Sequence, residues 1–495
     1  MKSKLFLLIV ILFIISGVLY LPAQDFGFNN EMDGGSLGLA PSFVPAVTIG
    51  GELSAGLTGY GDDFSDIGKT NLGDVLKGKL NFTVASTHAD GTINLKLAPV
   101  FDGSASPLTI DEAYLRAYFG DFSLEGGLRK LTWGKADSFG PLDVVNPLDY
   151  SDLSLMGAVG DMKIARPMLH GSYQFGAFTK LEGVFIPTFQ GHRFALEQGS
   201  RWAPSQFTDI SSSFLSAILS KPEMGTGTAA IGKGMNDRMG RFLSNDMTKE
   251  TQILSFLEYA QAGLRFTATI GSSDLGIQYF YGNLFRPGIS IKGMSGFQNA
   301  LSVAAAGEFQ ETAVKDAFDT LQIKVRYNRY HQAGIDYAQV LAGFNIRAEA
   351  AILLTDDLEG DKGDVYNPQL AWSLGFDRDL FLGINLNLQA TETIRLFHDK
   401  LNGDPLLDIE AGKELSSTRL TTVLARKFLR DELEIKATGL WGIEDRDFLI
   451  LPSIAWIKND VTVELSGGLF GGDEQGELGQ YGDNHFIKAV MGYKF

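Results

Sequence analysis

The chain has 495 residues, with 42 Lys and Arg against 59 Asp and Glu, no cysteine, 58 glycines, 35 Phe, 15 Tyr and 5 Trp. The missing cysteine excludes a disulfide framework, thiolate metal or iron–sulfur ligation, cysteine catalysis and a lipid anchor on a cysteine behind a leader. A formal charge of −17 argues against nucleic acid as a partner. A mean hydropathy of +0.03 argues against a bundle of membrane helices, each of which needs about 20 consecutive apolar residues.

One segment approaches that description. Lys2 and Lys4 precede the apolar run Leu5 to Ile15, and Tyr20-Leu21-Pro22-Ala23 follows. A basic start, a short apolar stretch and a small residue describe an export signal cleaved near Ala23; a stop-transfer anchor would be longer. Residues 1–23 are therefore expected to be a removed signal peptide. Residues 24–43, Gly-rich and aspartate-containing, are expected to form a periplasmic arm or a small plug, and residues 44–495 a single domain.

From residue 44 onward, apolar residues alternate with polar residues or glycine in runs of about ten, the signature of strands with one apolar and one polar face. Val47, Ile49, Leu53 and Leu57 alternate with Thr48, Glu52 and Ser54. Leu80, Phe82 and Val84 alternate with Lys79, Asn81 and Thr83, and Asp90-Gly91 marks a hairpin. Gly120-Asp121 separates Leu115, Ala117 and Phe119 from Phe122, Leu124 and Leu128. Later runs centre on Leu264 to Ile270, Leu275 to Tyr281, Phe344 to Ile352, Leu370 to Phe376, Leu382 to Leu388, Leu433 to Trp441 and Val461 to Leu469.

Turn cues fall alternately close together and far apart. Short connections are expected at 88–91, 120–121, 175–177, 271–274, 341–343, 378–380, 428–432 and 458–460, and long ones notably at 133–165, 188–255, 286–320 and 395–415. Short turns on one rim and long loops on the other describe a spanning barrel better than a soluble sandwich. The expected fold is all-β: one transmembrane antiparallel up-and-down β-barrel of about eighteen strands, with short periplasmic turns and long outer loops. Leu321 to Val340 is counted as one long strand, and sixteen strands is the alternative count.

The last strand places Ile487, Met491, Tyr493 and the terminal Phe495 on one face. It resembles the C-terminal signal of bacterial outer-membrane barrels, which implies recognition by the barrel-insertion machinery and residence in outer-membrane lipid. A second resemblance covers about fifty residues. Glu112-Ala113-Tyr114-Leu115, Gly126 to Asp137 with Trp133-Gly134, and Pro141 to Tyr150 with Asn146-Pro147-Leu148-Asp149 resemble a largely uncharacterised family of porin-like outer-membrane barrels. In that family a strand ends in Trp-Gly and an Asn-Pro-x-Asp loop follows. Some members are encoded near efflux-type transporters, which implies transport without naming a cargo, and no catalytic residue comes with the resemblance.

The loop has a logic of its own, because Gly134, Gly140, Pro141 and Pro147 set turns while Asp137, Asp143, Asp149 and Asp152 concentrate negative charge against Lys135. If the loop folds inward, these carboxylates narrow the pore. Facing them, Lys77, Lys79, Lys96, Arg116, Arg129, Lys180 and Arg265 lie on polar strand faces, with Arg347 and Glu349 as further constriction candidates. Opposite charges across a narrow aqueous passage orient and filter polar solutes. The competing reading is that these charges pair within the wall, as Lys180 with Glu182, Arg347 with Glu349 or Glu434 with Lys436. The segment Thr188 to Ser255 is too long for a simple loop. It includes a short capped helix expected over 209–219, and a second helix is expected over 304–320.

No enzyme is expected. The six histidines show no metal-ligand spacing, His170 and Ser172 mark only two positions of one strand, and Gly225-Thr226-Gly227 lacks the Lys of a phosphate loop. The sequence thus leads to an outer-membrane porin or substrate-specific passive channel for small polar solutes, with no cofactor. The alternative is a surface barrel that acts through its long loops over an occluded lumen. Asn, Gln and Lys on the inner face argue against a channel for hydrophobic compounds.

Overall fold

A computed structural model of the chain describes residues 46–61, 76–98, 108–196, 200–205, 256–293, 322–403 and 407–495, with single positions between 296 and 320. The expected signal peptide, the 24–43 arm and the 209–219 helix lie outside the described residues, as does nearly all of the 304–320 helix.

Period-2 alternation becomes eighteen strands of one sheet. They are β1 (Ala46–Tyr60), β2 (Lys77–Ala85), β3 (Ala89–Leu97), β4 (Leu108–Phe119), β5 (Phe122–Arg129) and β6 (Arg166–Phe175). Next come β7 (Thr179–Ile186), β8 (Gln261–Ile270), β9 (Ser273–Asn283), β10 (Arg329–Leu341), β11 (Phe344–Thr355) and β12 (Gln369–Asp379). The last six are β13 (Ile384–Arg395), β14 (Ser416–Phe428), β15 (Leu433–Gly442), β16 (Asp447–Lys458), β17 (Val461–Gly472) and β18 (Phe486–Lys494). Each pairs antiparallel with the next, and β18 returns to β1 in a register running from Glu52↔Lys494 to Tyr60↔Phe486. The sheet is therefore a closed up-and-down barrel, which leaves no unpaired strand edge.

Turns of two to four residues join β2 to β3, β4 to β5 and so on to β16 and β17, all on one rim. At Ala342-Gly343 both residues take positive φ, 52° and 77°, the twist that a two-residue hairpin turn needs. The other rim carries the long connections, with 443–446 as its short exception.

The stretch Leu321 to Val340 is not one strand. Gln322–Arg326 pairs with Gly288–Lys292 in a hairpin apart from the barrel sheet, and only Arg329–Leu341 joins the barrel. The break falls at Asn328, whose carbonyl accepts the Leu284 N–H at 2.9 Å, so the backbone leaves one ladder and enters another there. The count of eighteen survives because only one of the two pieces spans.

Apolar side chains point outward. On β8 and β9, Leu264 and Ile277 are 58% and 60% exposed, whereas their inward neighbours Arg265 and Gln278 are 4% and 2% exposed. A polar interior more deeply buried than an apolar exterior is the inverse of a water-soluble core. Among the described residues, apolar packing does occur inside, in two clusters. One joins Tyr60, Leu440, Leu449, Phe470 and Phe486 of the inner wall to Leu153, Met156, Met162 and Trp202 of the connections; the other joins Trp133 and Val145 to Met168, Val184, Phe280 and Tyr330.

The outward face sets an expectation for stability. Ile277→Arg should lower the folding free energy in lipid vesicles by about 2–4 kcal/mol, the cost of a cation near mid-bilayer. Urea titration of vesicle-folded protein measures it, and a variant as stable as the parent would mean that this face does not contact acyl chains.

Candidate functional site

The connection after β5 turns back into the barrel, where its backbone meets inward-facing side chains. Glu349 on β11 accepts N–H groups from Lys135, from Ala136 at 2.7 Å and from Leu142 at 3.3 Å. Gln389 on β13 accepts from the N–H groups of Asp137 and Ser138 at 2.9 and 3.2 Å, and its amide donates to the Phe139 carbonyl at 3.1 Å. Gln278 on β9 donates to the Leu142 carbonyl at 2.9 Å, and Gln332 on β10 to that of Pro141 at 2.7 Å. Leu142 is fully buried. Gly134 sits at φ 93° directly over the Glu349 carboxylate, where a β-carbon would collide with it.

Asn146 closes the neck of this insertion. Its oxygen accepts the Leu131 N–H at 2.7 Å, and its amide donates to the carbonyls of Arg129 and Ile164 at 3.0 and 2.8 Å. One buried side chain thus ties the outgoing and returning limbs together. Beyond Asp149–Tyr150, which pairs with Arg193–Phe194, the chain turns through Leu153–Leu155 and Val159–Met162, whose buried residues join the apolar cluster on the inner wall of β1 and β15–β18.

The structure places the expected constriction residues as follows. Asp137 accepts from Arg347 at 2.5 Å and Asn387 at 2.8 Å, Asp143 pairs with Lys163 at 2.6 Å, and Asp149 pairs with Arg193 at 2.8 Å. Asp152 accepts the Ser154 N–H at 3.0 Å and caps the short helix 153–155. Burial pushes the Asp143 carboxyl above its ordinary pKa, against the pull of Lys163. The basic row does not face these aspartates as a set. Lys96 pairs with Asp111 at 2.8 Å, Lys180 with Glu182 at 3.0 Å, Arg265 with Asp336 at 2.7 Å and Lys79 with Asp161 at 3.4 Å. Arg116 reaches Glu125 at 2.6 Å, and Arg129 pairs with the same carboxylate. Lys77, at the start of β2, is half-buried. Arg347 pairs with Asp137 and Asp377 rather than with Glu349, and Glu434 with Lys427 at 3.9 Å rather than with Lys436.

Several of the residues that hold the insertion were not singled out from sequence. Gln278, Gln332 and Gln389 read there as ordinary polar-face residues, and Asn146 as part of a motif. The available signal for the three glutamines was uncharged amides on inward parity, which can answer a peptide backbone with both a donor and an acceptor.

His192, beyond β7, stands edge-on to the rings of Tyr150 at 5.2 Å and Phe285 at 5.3 Å, and its Nδ1 accepts the Leu148 N–H at 2.9 Å. Burial, with the Arg286 charge nearby, pushes its pKa down to about 3.

Residues 102–398, well over half of the chain, match a family described as Protein of unknown function (DUF1302). The chain belongs to this family. No curated protein matches. Among solved structures, Salmonella typhi OmpF in complex with daunomycin is 8% identical, with 91% of this chain and 97% of that chain covered at a TM-score of 0.40. Wzi, an outer-membrane protein involved in group 1 capsule assembly in Escherichia coli and described as a carbohydrate-binding β-barrel, is 11% identical, with 90% and 84% covered at a TM-score of 0.42. The outer-membrane channel DcaP of Acinetobacter baumannii is 10% identical, with 91% and 97% covered at 0.38.

Two outcomes follow from the insertion. Glu349→Ala leaves up to three N–H groups without their acceptor, at about 1–3 kcal/mol for each one that stays dry; the barrel should still form while cleavage by added protease within 134–142 accelerates, and unchanged protection would mean that other contacts hold the loop. For His192 the folded pKa is depressed, so its packing is stable above the unfolded value of about 6.5 and weakens as pH falls from there toward 3. Hydrogen-exchange protection across 148–194, corrected for the intrinsic rate at each pH, should fall between pH 7 and 4.5, and His192→Asn, which keeps an acceptor for Leu148, should flatten that response.

Proposed function

We propose that the protein is an outer-membrane porin or substrate-specific passive diffusion channel for small polar solutes. In this reading it is exported behind a cleaved signal peptide and inserted through its C-terminal strand by the barrel-insertion machinery. The observation that carries the reading is the segment 134–142 hydrogen-bonded across the inner faces of β9, β10, β11 and β13. A chain fixed inside a barrel narrows its passage without closing the wall, and a narrow wet passage between low-dielectric walls strengthens the field of the charges beside it.

Charges left toward water include two on the wall from β2 to β7. The side chains of Lys79 and Lys180 remain 50% and 40% exposed although each has an acidic partner. Such half-solvated pairs can exchange partners with a passing solute at little cost, because an exposed ion pair contributes at most about 1 kcal/mol. Glu125, His170 and Glu182 lie behind them, with His170 at 3.3 Å from each carboxylate. The proposed role of this wall is to attract and turn polar solutes. Passage is downhill and involves no catalytic step.

A second reading has its own support. The cluster around Leu440, Leu449, Phe470 and Trp202 seats connections from the long-loop rim against the inner wall, as a barrel acting through its loops over an occluded lumen would require.

Planar-bilayer recording separates the two. A channel gives stepwise conductance, and Lys79→Glu together with Lys96→Glu shifts its selectivity toward cations by several-fold. Protein that is folded and inserted yet silent in the bilayer would retire the channel in favour of the second reading.

A further inference from the structure

A cavity of about 230 Å³ lies between the inserted segment and the ends of β9, β10 and β11 on the long-loop side. Phe139, Val144, Leu284 and Leu353 form apolar walls, and Arg286 and His192 supply polar groups. The guanidinium of Arg286 lies over the Tyr366 ring at 4.1 Å, yet no carboxylate among the described residues comes within ion-pair distance of it, and none of its N–H groups has an acceptor there. This contrasts with the paired cations Lys96, Lys163, Arg265, Arg347 and Arg395.

Glu477 lies within electrostatic reach of Arg286, but its carboxylate is paired with Arg419 at 2.6 Å. The Asp143 carboxylate that lines the same cavity is neutralised by Lys163 at 2.6 Å, so it does not cancel Arg286. His192 uses Nδ1 to accept from Leu148, which places its proton on Nε2, and that N–H has no acceptor among the described residues. A second cation, Arg166, is buried with its guanidinium 5.4 Å from the ring of Phe285 and donates to the carbonyls of Val145 and Thr188.

We propose that this cavity binds an amphipathic monocarboxylate, its carboxylate forked on Arg286 and its small apolar or aromatic body against Phe139, Val144, Leu284 and Leu353. A planar guanidinium with free donors matches a carboxylate in two parallel hydrogen bonds, and a ring stacked behind it fixes its plane. Apolar walls with a few convergent polar groups are the usual make-up of a small-molecule site. The volume holds a single ring with a short acid arm. Binding here goes beyond the conduction of polar solutes and requires no open passage, so it holds equally for a silent barrel.

Isothermal titration of the detergent-folded full chain with phenylacetate, phenylacetamide and phenethylamine tests it. Phenylacetate should bind saturably, its neutral amide at least ten-fold more weakly and the amine not at all. Arg286→Gln should weaken phenylacetate at least ten-fold, whereas Arg426→Gln on β14, which does not line the cavity, should leave it unchanged. Equal affinity for acid and amide, no binding of the acid, or wild-type affinity in Arg286→Gln would each overturn the proposal. Circular dichroism and resistance of the folded band to heating establish that the variant is a folded barrel, and bilayer recordings on the same preparation report conduction separately.

Discussion

A barrel closes its own hydrogen-bond ledger, but a loop led into it carries peptide groups that lack a strand beside them. Each such N–H or C=O left dry costs about 1–3 kcal/mol, so an inserted segment is stable only where the wall supplies partners. Here Glu349, Gln389, Gln278 and Gln332, on four strands, supply them from inward positions, and Asn146 clasps the two limbs at the neck. The wall also makes room. Gly334 on β10 leaves the space that Leu142 occupies, and Gly134 rests on the Glu349 carboxylate.

This requirement divides the lumen. Under the insertion Glu349, Gln389, Gln278 and Gln332 are buried and committed to the peptide backbone. On β15 to β18 and β1 the inner wall carries Leu440, Leu449, Phe470, Phe486 and Tyr60, adjacent across the strands, as an apolar seat for the returning chain. Between β2 and β7, Lys79 and Lys180 stay half-exposed to water while Glu125, His170 and Glu182 are buried among paired charges. The cavity at Arg286 lies in the gap between the insertion and the ends of β9 to β11, which is why it combines apolar walls with an unspent guanidinium.

Much of the architecture was legible in the chain because a strand's faces follow from parity alone. Short turns, outward Leu264 and Ile277, and the outward row ending in Phe495 all lie where alternation puts them. Local sequence presents 321–340 as one strand because the apolar texture continues through Asn328, whereas the partner strand changes there, and pairing is a property of two segments. The apolar seat escaped for a related reason. Leu440 lies on inward parity beside outward Trp441, and local sequence does not tell an inward leucine that packs a loop from a flaw in the pattern.

The chain by itself determined the greasy exterior, the polar interior and the alternation of short and long connections, and brought the strand number to eighteen or sixteen, because each follows from a period of two residues and from turn chemistry acting over a few positions. The tertiary structure alone decided which inward residues meet water and which meet another part of the chain. Glu349 engages residues more than two hundred positions earlier, and Arg347 pairs with Asp137 rather than with its strand neighbour. Those outcomes depend on the path of one loop across the barrel, and no local pattern encodes that path.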